Sequence, residues 1–284
     1  MISVIICTYN RASALRKCLE SFKTLTSPEE LKWELVVVDN NSTDETESLL
    51  AEFQAQSTLP LVTVKELKQG LGNARNAGFK AANYDIIAYT DDDCYPDKNY
   101  LTSIRDVFAD PAIAFAGGRV LLHNPDDLRI TIQLSEIEKI FQPGDMVLAG
   151  EIHGANFCFR RQVLEEVGGF DPLFGAGASF PCEDVDTISE CIRHGFAGKY
   201  SPDIIVSHDH GRQSESDYQK LMHSYDVGRG AFYTKRVIMK PGQRYMYAKF
   251  WFYFIRKQPF DKTMTEIRSG VNYLFLSAKS FLVR

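Results

Sequence analysis

Short apolar runs alternate with segments of helical periodicity through the first 90 residues, and three of the four runs end in a polar cluster. Residues 3–7, 35–38, 61–67 and 85–90 read as strands. Between the first two, residues 11–25 set Leu15, Leu19 and Phe22 on one helical face. A second helix follows the second strand through Leu49, Leu50 and Phe53, with Ser42 or Thr43 as its cap, and residues 70–82 read as a third behind a glycine turn. Strands apolar on both faces and joined by helices define an α/β chain with a parallel sheet covered on both sides. Ligands in such sheets gather beyond the carboxyl ends of the strands. Thr8-Tyr9-Asn10, Asp39-Asn40-Asn41 and Asp91-Asp92-Asp93 are therefore expected to meet in one crevice.

The Asp triplet carries the sharpest chemistry. Adjacent like charges at a strand end repel unless a cation is held among them. Residues two apart on a strand share a face, so Asp91 and Asp93 offer hard oxygens with room left for phosphate and water, a donor set suited to Mg2+ or Mn2+. The plainer alternative is a solvated acidic turn leading into Pro96-Asp97. Glycines at 70, 72 and 78 do not fit G-x-G-x-x-G, and no G-x-x-x-x-G-K-[ST] occurs, which argues against a Rossmann dehydrogenase and a P-loop enzyme. That segment does open a helix carrying Arg75, a cation able to face the nucleotide side of the crevice.

The chain has 284 residues, 44% of them hydrophobic, enough for one large α/β domain with an appendage. Cysteines at 7, 18, 94, 158, 182 and 191 form no C-x-x-C pair and read as reduced packing residues of a cytosolic protein, with neither disulfide nor zinc site expected. Residues 1–10 read as a first strand rather than a leader, and no window reaches the length of a membrane span. The net charge of -5 hides an asymmetry: from Arg229 onward 12 Lys and Arg stand against 2 acids, leaving 20 against 35 before it. The same tail holds 13 of the 34 aromatic residues, including Phe250-Trp251-Phe252-Tyr253-Phe254. Interleaved bases and rings suit an anionic membrane surface; packing on the domain or in a homodimer is the competing reading. The acidic body argues against a nucleic-acid partner.

Four motifs in register carry a family resemblance: Cys7-Thr8-Tyr9-Asn10-Arg11, Val36-Val37-Val38-Asp39-Asn40-Asn41-Ser42-Thr43-Asp44, Gly72-Asn73-Ala74-Arg75-Asn76-Ala77-Gly78 and the Asp triplet. They resemble the family 2 glycosyltransferases of the GT-A fold, and the likeness continues through Gly154-Ala155-Asn156, Gly168-Gly169-Phe170-Asp171 and Glu183-Asp184-Val185-Asp186. It covers about residues 1–210, which it makes the GT-A domain, a mainly parallel mixed sheet flanked by helices; residues 211–284 are left as a basic, aromatic, helical C-terminal region. The resemblance implies inverting transfer of a sugar from a nucleotide-diphosphate donor, UDP first, to a saccharide or lipid-linked acceptor. The crevice pattern and the basic aromatic tail together set the work in the cytoplasm, with the inner face of a membrane where envelope or exopolysaccharide is built as one setting for it.

By the same likeness Asp184 is the catalytic base, with Glu183 and then Asp186 as substitutes. Thr8, Tyr9, Asn10, Asp39, Arg75, Asp91, Asp92 and Asn156 bind the nucleotide sugar, and Asp93, Asp91 and His208 hold Mn2+ or Mg2+. His210 is a weaker ligand candidate than His208, and His153 is set toward the sugar or acceptor. The chemistry fits those roles: a cation at the leaving diphosphate stabilises charge that develops in the transition state, and a carboxylate can take the proton of a weakly nucleophilic hydroxyl. Two other classes remain, a sugar-nucleotide nucleotidyltransferase and a catalytically silent nucleotide-sugar-binding module.

Overall fold

A computed structural model of the protein describes residues 1–240 and 242–282. Strand β1 (Ile2–Thr8) lies between β2 (Trp33–Asp39) and β4 (Ile86–Asp91), parallel to both, and β3 (Leu61–Lys65) extends this parallel block at the edge. The period of two along each strand divides the apolar residues between two cores. Val4, Ile6, Leu35, Val37 and Ala88 face one side, where α1 (Ala12–Phe22), α2 (Thr46–Gln56) and α4 (Tyr100–Val107) bring Leu15, Phe53 and Leu101. Ile5, Val36, Val38, Ile87 and Tyr89 face the other, against α3 (Leu71–Ala81), α5 (Arg161–Val167) and α6 (Glu183–Arg193). Both faces of the central strands are dry, as their unbroken apolar runs require.

Beyond β4 the sheet becomes mixed. Strand β8 (Asn156–Arg160) runs antiparallel to β4 and to β6 (Ile113–Leu122), which pairs in parallel with β9 (Ala197–His208). A register shift at Gly118/Arg119 breaks the β6–β9 ladder. The start of β9 takes β7 (Lys139–Phe141) and its end takes β5 (Cys94–Pro96), both antiparallel. Cys94 is thereby the register partner of His208, and Asp209 N donates to the Asp93 carbonyl at 2.9 Å. This pairing delivers an imidazole to the Asp triplet, 115 residues away along the chain.

The C-terminal region, set apart by composition, shares a third core with the body through described residues between Val227 and Leu276. Helix α7 (Glu215–Thr234) starts at a capping box of Ser214 and Asp217 and continues into a π-helical turn, Lys235–Met239, before α8 (Arg244–Ile255) and α9 (Phe260–Leu282). Phe174, Phe180 and Val185 of the body pack with Phe232, Tyr233, Tyr247 and Tyr273 of the tail. Two glycines of α7 make the approach possible: a Cβ on Gly228 would lie 2.7 Å from Cys182 Sγ, and one on Gly230 would lie 2.1 Å from the Glu266 carbonyl oxygen. Two tail cations are also spent inside the body, since Lys235 Nζ donates to Asp171 and Asp186 at 2.7 Å each and Arg236 pairs with Asp186 and Glu190. The tail's positive charge is thus partly internal.

One local detail differs from the sequence reading. Ser42 and Thr43 do not cap α2; Ser42 Oγ accepts from Asn10 N and Thr43 N donates to Asn10 Oδ1, while Asp44 accepts from Ala12 N and Thr46 N and so ties the starts of α1 and α2 together. Helix α6 begins at Glu183, so all three of its candidate acids sit in the first turn. All six cysteines are free thiols. Among the described residues no helix is long and apolar enough to cross a membrane.

Candidate active site

Two acidic groups, one at the tip of β4 and the other at the start of α6, are joined by one buried cation. Ligand atoms of Asp91, Asp93, Cys94 and His208 all lie within 4.8 Å of one another. His208 Nε2 stands 3.3 Å from Asp93 Oδ1, and its Nδ1 stands 3.2 Å from the Thr131 carbonyl. A carbonyl can only accept, so Nδ1 carries a proton and Nε2 is the nitrogen turned to the cluster; burial opposes charge on this ring, but Asp93 and Asp91 outweigh it and favour the imidazolium. Burial opposes the charge on Asp93, but His208 and Arg11 prevail and hold its carboxyl well below the usual carboxylate range. The set suits a hard divalent cation: two carboxylates, one imidazole, and a buried Asp93 Oδ1 that makes no hydrogen bond. Cys94 adds little to an oxygen-preferring ion, and burial pushes its thiol far up.

The residues expected on the nucleotide side divide by exposure. Thr8 Oγ1 donates to Asp92 Oδ2 at 2.7 Å, and burial pushes the Asp92 carboxyl up to about 7. Asp39 is buried, with Oδ1 accepting from Ser42 N at 2.8 Å, whereas Tyr9 and Asn10 are exposed at the rim. Asn40 orders the neighbouring loop, donating to the Glu66 and Lys68 carbonyls at 3.0 and 2.8 Å and accepting from Gly70 N. Sequence reasoning gave no role to Arg11, although it closes the Thr8-Tyr9-Asn10-Arg11 motif. Its guanidinium reaches Asp93 at 2.6 Å and Asp92 at 3.2 Å, the one cation in direct contact with both among the described residues.

Arg75 and Asn156 stand elsewhere than the donor-contact reading sets them. Arg75 is 2% exposed, its guanidinium stacked 4.8 Å from the Phe157 ring centroid. It donates to Glu183 at 2.9 Å and to the Gly154 carbonyl at 3.0 Å, and Asp91 lies 3.7 Å away. With its nitrogens so engaged it is a strut between the two acidic groups rather than a nucleotide contact. Asn156 is fully buried, and its Nδ2 ties β6 to β9 through the carbonyls of Arg119 and Ile204 at 2.8 and 2.9 Å. It fixes the sheet and has no surface for a ligand.

At the start of α6, Asp184 is half-buried and accepts from Gly154 N at 2.9 Å and from Val185 N at 2.8 Å. Burial pushes the neighbouring Glu183 carboxyl up to about 7, with the Asp184 charge adding and Arg75 opposing. Asp186 is removed from the candidate bases, because it is buried beneath Lys235 and Arg236, which overcome burial and keep its carboxyl low. His210 is removed from the candidate ligands: Nε2 lies 3.0 Å from the Leu128 carbonyl and Nδ1 accepts from Arg212 N at 3.0 Å. The His153 ring is 6.3 Å from that of His208, and burial lowers its imidazole to about 4, leaving it neutral at physiological pH. Tyr225 of α7 was not found by sequence reasoning; burial, then the Asp184 charge, pushes its phenol up to about 12. Four non-glycine residues with positive φ among those described, Asn10, Asn41, Thr131 and Cys182, all border this region. Such strain collects where backbone is held for a task.

A mixed sheet with a parallel core, flanked by helices and carrying an acidic cluster at its carboxyl edge, is the GT-A architecture. The family model for glycosyl transferase family 2 matches residues 3–168, and the chain belongs to that family. A second model, glycosyl transferase family group 2, matches residues 86–275 and so reaches into the tail. Among curated relatives, the glycosyltransferase AglE of Haloferax volcanii is 26% identical over 73% of this chain and 66% of its own length. The pre-mycofactocin glycosyltransferase of Mycobacterium tuberculosis is 29% identical over 75% of this chain and 43% of its own. The chain thus spans about two thirds or less of these relatives. A solved mannosyltransferase from Pyrobaculum calidifontis, in complex with GDP-Man and Mn2+, superposes with a TM-score of 0.64 at 21% identity, covering 98% of this chain and 75% of that one. That likeness establishes the fold.

Proposed function

We propose that the chain is an inverting, metal-dependent glycosyltransferase that moves a sugar from a nucleotide-diphosphate donor, UDP-linked first, to a hydroxyl of a saccharide or lipid-linked acceptor. The observation that carries this reading is the Arg75 strut: one buried guanidinium contacts both Asp91 of the metal cluster and Glu183 beside Asp184, so donor and acceptor chemistry share one crevice. Asp93, Asp91 and His208 would hold Mn2+ or Mg2+, which when bound neutralises charge gathering on the departing diphosphate. The mannosyltransferase neighbour, bound to GDP-Man and Mn2+, supports both the donor class and the ion.

The protein's own groups do the rest. Thr8, Tyr9, Asn10, Asp39 and Asp92 line the nucleotide side, where a strand-end carboxylate can accept from a base N–H. Asp184 receives the acceptor proton as the new C–O bond forms on the side opposite the diphosphate. Its hydrogen bonds from Gly154 N and Val185 N hold the carboxylate in place. Neutral His153 stands beside this base and can donate to, or accept from, a sugar hydroxyl. The setting that follows is cytoplasmic, at the inner face of a membrane where envelope or exopolysaccharide is assembled.

The test is turnover of sugar nucleotides by purified Asp184→Asn protein with Mn2+ present. Transfer should fall by at least about 100-fold, the scale of a lost general base, with donor affinity nearly unchanged. Retained turnover puts the base elsewhere. Pyrophosphate release from a sugar phosphate and a nucleoside triphosphate would instead identify a nucleotidyltransferase, and donor binding without turnover in the native protein a silent module.

A further inference from the structure

The tail has a surface that the sugar reaction leaves unused. On α8 and the turn that ends it, Tyr245, Lys249, Phe252 and Arg256 repeat at helical spacing, with Tyr253 and Lys257 one residue on, and all six are exposed. Tyr245 is 81% exposed, Phe252 61% and Phe260, at the start of α9, 78%. On α9, Ile267, Val271 and Phe275 form a second exposed stripe four residues apart, flanked by exposed Arg268 and Lys279. These rings are not displaced core residues. Each helix already buries another face, Tyr247 and Trp251 from α8 and Tyr273 and Leu276 from α9, in the third core.

Charge selects the occupant. Arg244, Lys249, Arg256, Lys257, Arg268 and Lys279 are exposed, whereas Asp261 is the one exposed acid of residues 244–279. Glu266 is buried and neutralised by Arg229 at 2.6 Å. Arg256 stands 5.7 Å from the Phe252 ring centroid and Lys257 4.0 Å from that of Tyr253, so cation and ring are offered together. A second copy joined through this face would set like charges against each other. A long polyanion would run onto a body with 20 basic and 35 acidic residues before position 229. An anionic bilayer surface takes exposed rings at headgroup depth and attracts the cations beside them.

We propose that the exposed face of α8 and α9 docks the protein on an anionic lipid bilayer, with Tyr245, Phe252 and Phe260 entering the headgroup layer and Lys249, Arg256 and Lys257 pairing with lipid charge. The inference stands on the tail's surface and not on the identity of the sugar reaction, since vesicle binding is read without substrate.

The test is cosedimentation of the full chain with phosphatidylcholine vesicles with and without phosphatidylserine, at low and high salt. The native protein binds the anionic vesicles at least about tenfold more tightly, and salt removes the difference. Arg256→Glu with Lys257→Glu costs more than about 20-fold in partition, at roughly fivefold per cation removed. Phe252→Ser with Phe260→Ser weakens binding to the same vesicles while circular dichroism shows an unchanged fold. Equal binding to both vesicle types, or native-like binding by both variants, overturns the proposal. A concentration-dependent dimer in ultracentrifugation, abolished by the ring substitutions, would assign the face to a second copy and overturn it equally.

Discussion

Arg75→Met removes the strut and leaves the neighbouring rings a side chain of similar length to pack on. Three groups lose a partner: the Gly154 carbonyl, which accepted at 3.0 Å, the Glu183 carboxylate, which was paired at 2.9 Å, and, more weakly, the Asp91 carboxylate at 3.7 Å. An unsatisfied buried carbonyl costs about 1–3 kcal/mol at any pH. The Glu183 term depends on pH. A carboxyl raised on folding takes up a proton more readily in the native state, so its burden is absent below the unfolded value near 4.5 and grows until pH passes the folded value of about 7. Below that point the native protein and the variant change in parallel. Above it the native burden has levelled off, while the variant, lacking Arg75, loses up to about 1.4 kcal/mol more per pH unit. Urea denaturation should therefore give a loss of about 1–3 kcal/mol near pH 6 and roughly 3–5 kcal/mol near pH 8.5, the range for breaking a buried pair. An equal loss at both pH values would show that Glu183 is not the group left unpaired, and a loss under about 0.5 kcal/mol would remove the strut from the account.

Three further expectations concern other parts of the molecule. Asp186→Asn leaves Lys235 and Arg236 without their shared carboxylate and should cost about 3–5 kcal/mol in one cooperative transition; a separate early transition for the tail in calorimetry would contradict the shared core. Because the Asp186 carboxyl is lowered on folding, the native protein loses this contribution on acidification through its folded value, and the variant has none to lose. Arg11→Met frees Asp92 and Asp93 from a competing, partly exposed cation and should tighten Mn2+ binding about two- to fivefold, the scale of a solvent-exposed pair; weaker Mn2+ binding by calorimetry would mean that Arg11 supports the ion. Gly230→Ala forces a methyl group toward the Glu266 carbonyl oxygen of α9 and should lower stability by about 1–3 kcal/mol, whereas an unchanged melting temperature would show that the two helices separate freely.

The parallel half of the sheet was legible because strands dry on both faces must be apolar at every position, and residues 35–38 show that pattern without interruption. His208 was legible as the end of an apolar strand, but the carbonyl that sets its tautomer, from Thr131 at φ 51, lies in a loop with no repeating pattern. Arg75 and Asn156 look in sequence like crevice residues because their motifs adjoin the strand tips. Only the packing of Phe157 and Phe170 around the one, and the convergence of β6 and β9 on the other, turn them inward. Charge counts leave part of the tail undecided for the same reason: a basic run reads alike whether it faces solvent or, as Lys235 and Arg236 do, meets acids about 50 residues earlier in the chain. Periodicity reports which face of an element is buried, not which distant partner covers it.

The account rests on a divalent cation joining Asp91, Asp93 and His208 to the diphosphate of a sugar donor. Isothermal titration of the purified protein with UDP, in Mn2+ and then in chelator, measures this directly. Uptake that requires Mn2+ and is lost in Asp93→Asn protein is the expected result; uptake of equal strength in chelator, or none from UDP and GDP alike with Mn2+ present, would contradict it.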